Sequence, residues 1–126
     1  MSFNLGDRSR QNLKGVHKDL VAVVEQAIKS TDEDFTVIEG LRNIERQKQL
    51  LKDGFTKTLN SRHLTGHAVD ICPYPIDWND HARFAKVSEA MKEAARRLGV
   101  ALVWGGDWKR GWDKPHYELN RGVYPA

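Results

Sequence analysis

The stretch SRHLTGHAVDIC, residues 61–72, organises the reading of this chain. Its second half, HAVDIC (67–72), has the mixed β-branched and apolar character of a strand and runs into the prolines of PYP, which cannot continue a hydrogen-bonded ladder. Side chains alternate between faces along a strand. Asp70 therefore shares a face with Ala68, while His67 and Val69 point the other way. His63 lies in the loop before Gly66, and a glycine there lets the chain curl back and bring His63 beside Asp70. Ala68 is small enough to leave room on that face. A histidine and a carboxylate brought together this way make part of a metal site, so the remaining elements are read for what could complete it.

On the N-terminal side, residues 11–29 read as one amphipathic helix. Leu13, Val16, Leu20, Val24 and Ile28 recur at steps of three and four. DFTVIEGLR (34–42) reads as a strand, and NIERQKQLLKDG (43–54) as a short helix stopped by Gly54. Residues 55–66 read as a polar loop. On the C-terminal side, residues 78–99 form the clearest helix, capped by Asn79 or Asp80. Its stripe is Phe84, Val87, Met91, Ala94 and Leu98, and Gly99 ends it. VALVW (100–104) reads as a buried strand, residues 105–115 as a loop rich in Gly and Trp, and HYEL (116–119) as a last strand. Strands joined by that loop are expected to be antiparallel neighbours. The fold class is α+β, a small antiparallel sheet with helices packed on one face.

The length of 126 residues suits a single domain, 1–126. A lone cysteine, Cys72, excludes an intrachain disulfide, and its place beyond Asp70, next to a proline, favours burial over metal binding. The start, MSFNLGDRSRQ, has no apolar segment of the secretory kind, so a cytoplasmic location in the producing cell is expected. No apolar run approaches a membrane span. The net charge of +3 favours polyanionic partners without choosing between them. The basic clusters, such as Arg96-Arg97, are too short for a nucleic-acid arm.

A catalytic zinc commonly takes three protein ligands from His and carboxylate side chains and leaves a fourth position for water. Three histidines remain as distant partners for His63 and Asp70. His17 lies on the first helix and His81 at a solvent-facing helix start. His116 opens a strand, with Asp113 three residues before it, where a carboxylate reaches toward the site without binding the ion. His63, Asp70 and His116 then form a two-His, one-carboxylate site with Asp113 as candidate general base. The residues taken alone favour a plainer reading: surface histidines, a strand-end aspartate and an Asp that starts the turn at DKP.

SRHLTGHAVD (61–70) matches S-x-H-x-x-G-x-A-x-D at all five fixed positions, and DKPH (113–116) matches a downstream [DE]-x-x-H element. In these motifs, in their order and in their separation the chain resembles the zinc peptidases that include D-alanyl-D-alanine carboxypeptidases and the L-alanyl-D-glutamate peptidases of phage endolysins. WGGDW (104–108) and the compact length look most like the second branch. EGLRNIERQ (39–47) resembles the upstream segment of the family.

The resemblance implies the hedgehog/D,D-peptidase-like fold, Zn2+ on His63, Asp70 and His116, Asp113 as base and proton shuttle, and Arg42 at the substrate carbonyl or the developing oxyanion. It also implies a peptidoglycan stem peptide as substrate, and release through the membrane by a holin. A monomer, no nucleic acid and no stable membrane insertion are expected.

Ser61 either caps a turn or touches substrate. Trp104 is expected in the core, whereas Trp108 and Trp112 are candidate cleft residues. Asp107 either orients a ligand or holds its turn, and Glu118 is the reserve candidate for base. A D-alanyl-D-alanine carboxypeptidase on the same scaffold is the nearest rival function. A metal-dependent nuclease of His-Asn-His type is a distant one, since no ββα unit follows His67.

Overall fold

The computed structural model describes residues 3–55, 61–108 and 113–125. Among these residues, four helices and four strands follow one another as α1 (Asp7–Asn12), α2 (Lys18–Ser30), β1 (Phe35–Glu39), α3 (Ile44–Lys52), β2 (Ala68–Pro73), α4 (His81–Leu98), β3 (Leu102–Trp104) and β4 (His116–Leu119). A 3-10 turn spans Arg62–Thr65, and another spans Gly105–Asp107. The strands form one antiparallel sheet in the order β1-β2-β4-β3. The α+β architecture is the one expected, and β3 and β4 are antiparallel neighbours as their short connection requires.

Alternation divides the sheet into two faces. Phe35, Val37, Val69, Ile71, Tyr117 and Leu119 enter the hydrophobic core with Leu20, Val24 and Ile28 of α2 and Val87, Met91 and Ala94 of α4. Residues of opposite parity, among them Asp70, His116 and Glu118, are outside that core cluster. The register sets Asp70 opposite His116 across β2 and β4, and Ala68 opposite Glu118. On the other edge of β2, Glu39 of β1 stands opposite Asp70, after an irregularity between Val37 and Glu39.

Several boundaries depart from the sequence reading. The helix expected over 11–29 is two helices, broken between Asn12 and Lys18. Gly15 sits there at φ 81°, left-handed backbone that favours glycine. Leu13 and Val16 are buried although they lie in the break, so their spacing imitated a continuing helix. His17 caps α2, its Nδ1 accepting from the Asp19 amide at 3.1 Å. The long helix begins later than residue 78, with Asp80 as its cap, and Gly99 ends it in left-handed backbone. Of the apolar run 100–104 only Leu102–Trp104 forms a strand, an edge strand that is only half buried, because it has a partner on one side alone. The stretch expected to be loop before Gly66 contains the 3-10 turn that carries His63, with both Arg62 and His63 buried.

Candidate metal centre

Gly66 closes that turn at φ 76°. A β-carbon there would come 2.5 Å from the Gly15 carbonyl oxygen, so both the backbone angle and the space call for glycine. The turn is held at its start by Ser61, whose hydroxyl accepts from the His63 amide at 3.2 Å. Its end is held by the Gly66 carbonyl, which accepts from the His17 amide at 2.8 Å. His63 is thereby fixed against the start of β2.

Three side chains converge. His63 Nε2 lies 3.2 Å from Asp70 Oδ1, and His116 Nδ1 lies 3.3 Å from the same oxygen. The histidine rings meet edge-on, with centroids 5.2 Å apart. The ligating atoms of all three residues lie within 4.8 Å of one another. Two atoms held about 2.05 Å from one ion at the tetrahedral angle are about 3.3 Å apart, so the spacing suits a shared ion.

The outer ring nitrogens determine what the inner ones present. His63 Nδ1 is 2.8 Å from the Gly40 carbonyl, which can only accept, so Nδ1 carries the proton. His116 Nε2 is 2.9 Å from Glu118 Oε1. Glu118 is held below the usual carboxylate range: burial pushes it up, but the bond from His116, the His116 charge and Arg121 more than offset this. As a carboxylate it too can only accept. In their neutral forms both rings therefore aim a bare lone pair at a carboxylate oxygen. Such a cluster needs a cation at its centre, either protons or a metal.

The titration of the metal-free group agrees. Burial raises Asp70 and lowers His116, but their mutual hydrogen bond, with that from His63 to Asp70 and that between His116 and Glu118, dominates. Asp70 is held far below the usual range, and His116 is raised to about 9.

Arg42 is buried beside this group. Its Nε and Nη2 donate to Glu39 Oε1 and Oε2 at 2.9 and 2.6 Å, and its Nη1 donates to Gln47 Oε1 at 2.8 Å. Nη1 also lies 3.5 Å from the Ser61 hydroxyl, and Nη2 lies 3.8 Å from Asp70 Oδ2. Glu39 is lowered: burial raises it, and the Arg42 bond and charge outweigh that. Glu39 was not singled out from sequence. Its spacing three before Arg42 was visible, but its place opposite Asp70 depends on long-range strand register.

Asp113 is half buried at the turn into β4, where its carbonyl accepts from the His116 amide at 3.1 Å. Burial raises its carboxyl above the ordinary value. His116 opposes the rise, Asp70 reinforces it, and His63 and Arg42 oppose it more weakly, so Asp113 senses every charge of the cluster. The Trp108 ring stands 5.2 Å from the His116 ring and walls that side. Trp112 falls outside the described residues.

Other candidates lie elsewhere. Asp107 pairs with Lys92 at 2.6 Å on the surface, so it orients neither His116 nor Asp70. Trp104 stacks on Tyr117 and donates to the Lys114 carbonyl at 2.6 Å, packed against the core as expected. Cys72 is buried, and burial pushes its thiol up to about 11. His67 packs against His17, with ring centroids 5.3 Å apart, and belongs to no metal-type cluster among the described residues; nor does His81. Among the described residues no helix is long and apolar enough to cross a membrane.

A family model of phage L-alanyl-D-glutamate peptidases matches residues 1–126. The chain belongs to that family. The L-alanyl-D-glutamate peptidase of Escherichia phage T5 is 37% identical over 130 residues, covering 98% of this chain and 94% of the phage protein. The peptidoglycan L-alanyl-D-glutamate endopeptidase CwlK of Bacillus subtilis (strain 168) is 32% identical over 105 residues, 68% of this chain and 60% of CwlK. The crystal structure of the Serratia marcescens L-Ala D-Glu endopeptidase ChiX superposes with a TM-score of 0.89 at 43% identity, covering 95% of this chain and 92% of ChiX. This phage-peptidase family is thus the frame in which the converging His-Asp-His group is to be understood.

Proposed function

We propose that this chain is a zinc-dependent endopeptidase that cuts the amide bond between L-alanine and D-glutamate in peptidoglycan stem peptides. The observation that carries the reading is the convergence of two imidazole nitrogens on one carboxylate oxygen, in a chain of the L-alanyl-D-glutamate peptidase family. His63 Nε2, Asp70 Oδ1 and His116 Nδ1 would hold the ion. Two imidazoles and a carboxylate suit zinc, and three protein ligands are the number a catalytic rather than a structural site uses. When bound, zinc polarises the scissile carbonyl and makes water a competent nucleophile near neutral pH.

Asp113 takes a proton from the attacking water and delivers it to the leaving amine. Burial raises its carboxyl above the ordinary aspartate value, which makes it a stronger base than a free aspartate. Arg42 contributes positive potential where charge develops on the carbonyl oxygen. Glu39 and Gln47 hold its plane before substrate arrives, so little reorganisation is needed at the moment of reaction. Ser61 acts by holding the His63 turn and the Arg42 edge rather than by touching substrate. Trp108 forms a wall of the cleft beside His116.

The chain then serves as a phage endolysin. It is made in the cytoplasm of the infected cell, works as a monomer, and reaches the wall once a holin opens the membrane. The test is mass spectrometry of purified peptidoglycan digested with the protein. Fragments with a new amino terminus on D-glutamate are expected. Loss of a single terminal alanine instead would assign the D-alanyl-D-alanine carboxypeptidase activity and overturn this reading.

Metal retention should depend on pH in a defined direction. His116 in the metal-free protein keeps its proton up to about pH 9, and that proton must leave before Nδ1 can bind. Zinc affinity should therefore rise on the order of tenfold per pH unit toward 9 and then level off. The metal-free fold behaves oppositely. A raised histidine pKa contributes stability that is complete below the unfolded value and is lost as pH rises through about 9. Competition with a chromophoric chelator from pH 6 to 9 measures the first trend; affinity that is flat over this interval would contradict it.

A further inference from the structure

His116 meets the cluster through Nδ1 alone; its Nε2 is taken by Glu118. Glu118 stands two residues further along β4, on the same face as His116, and both side chains are buried. Its two oxygens have separate partners. Oε1 is 2.9 Å from His116 Nε2, while Oε2 is 3.8 Å from Arg62 Nε and 3.4 Å from Arg121 Nε. Arg62 is buried too, and its Nη2 donates to the carbonyls of Leu119 at 3.0 Å and Tyr124 at 2.7 Å. Arg62 is also the residue immediately before His63. One carboxylate is thus anchored between the two segments that carry the histidines.

We propose that Glu118 is a positioning residue of the metal centre, accepting the His116 Nε2 proton so that Nδ1 keeps its lone pair directed at the ion. The proposal rests on reading the His-Asp-His cluster as a metal centre. A neutral imidazole can carry its proton on either nitrogen, and the wrong tautomer would point an N–H at the metal. A carboxylate on the outer nitrogen selects the right tautomer, fixes the ring plane and raises the basicity of the ligand. A partner for Arg62 alone would have no need to meet the histidine, yet Oε1 is given over to it. The same placement removes Glu118 as a general base, since its oxygen bonds the ring nitrogen that does not meet Asp70.

Zinc affinity is measured by chelator competition for the unaltered protein, Glu118→Ala and Glu118→Gln. Histidine-labelled 15N NMR is recorded on the unaltered zinc-loaded protein. Glu118→Ala is expected to bind zinc about 10–100-fold more weakly. Glu118→Gln keeps an accepting oxygen and should recover most of that loss. The spectrum should show His116 protonated on Nε2 and bare of hydrogen on Nδ1.

A Glu118→Ala affinity within about twofold of the unaltered protein, or a His116 proton on Nδ1, overturns the proposal. So does Glu118→Gln performing no better than Glu118→Ala, which would assign the residue to the Arg62 ion pair alone. Unaltered protein that takes up no zinc overturns the metal-centre reading itself, a result distinct from a variant that binds as well as its parent.

Discussion

His63→Ala is expected to purify without bound zinc and to lose peptidase activity by more than the 10²–10³-fold, roughly, that removal of a single oxyanion donor costs. The reason is that it removes one of the three proposed ligands and leaves Asp70 without the nitrogen 3.2 Å from its Oδ1. The ring is buried, so some stability is lost as well; circular dichroism separates a folded inactive protein from an unfolded one. Chelator-treated wild-type protein should regain its activity when zinc is returned, and His63→Ala should not. Stoichiometric zinc together with near-normal activity in His63→Ala would remove this histidine from the centre.

Asp113→Asn separates the proposed base from the proposed metal. The substitution keeps shape and loses only the capacity to take a proton. Activity should fall by about 10²–10⁴-fold, the usual contribution of general acid–base catalysis, with zinc content unchanged. The pH profile carries a second signature. The acid limb of kcat/KM in the wild type should lie above the ordinary aspartate value, because burial raises Asp113, and activity should decline as pH falls through that limb. In Asp113→Asn this limb should disappear from the residual activity. A variant with full activity would pass the role of base to another group, and Glu118, bound to the outer nitrogen of His116, could not take it.

A grouping of residues 63, 70 and 116 could be drawn from local geometry, and the motif resemblance set it above the plainer reading. Strand alternation put Asp70 and Ala68 on one face, Gly66 allowed the turn, and Asp113 and His116 sat at the mouth of a strand. The antiparallel pairing of β3 with β4 followed from a short connection. What stayed hidden depended on distant pairing. Glu39 matters because β1 pairs with β2 in a register that sets it opposite Asp70, and nothing local to EGLR reveals that register. The break between α1 and α2 was masked because Leu13 and Val16 reach the core from a turn, so periodic burial continued where the helix did not. Glu118 shared the face of His116 by alternation, but only the hydrogen bond to Nε2 distinguishes an orienting carboxylate from a base.

The most direct measurement is diffraction from crystals grown with zinc, recorded at the zinc absorption edge. One anomalous peak about 2.0–2.2 Å from His63 Nε2, a carboxylate oxygen of Asp70 and His116 Nδ1 is the expected result. A zinc ion bound elsewhere, or one held through the Nε2 of His116, would contradict it.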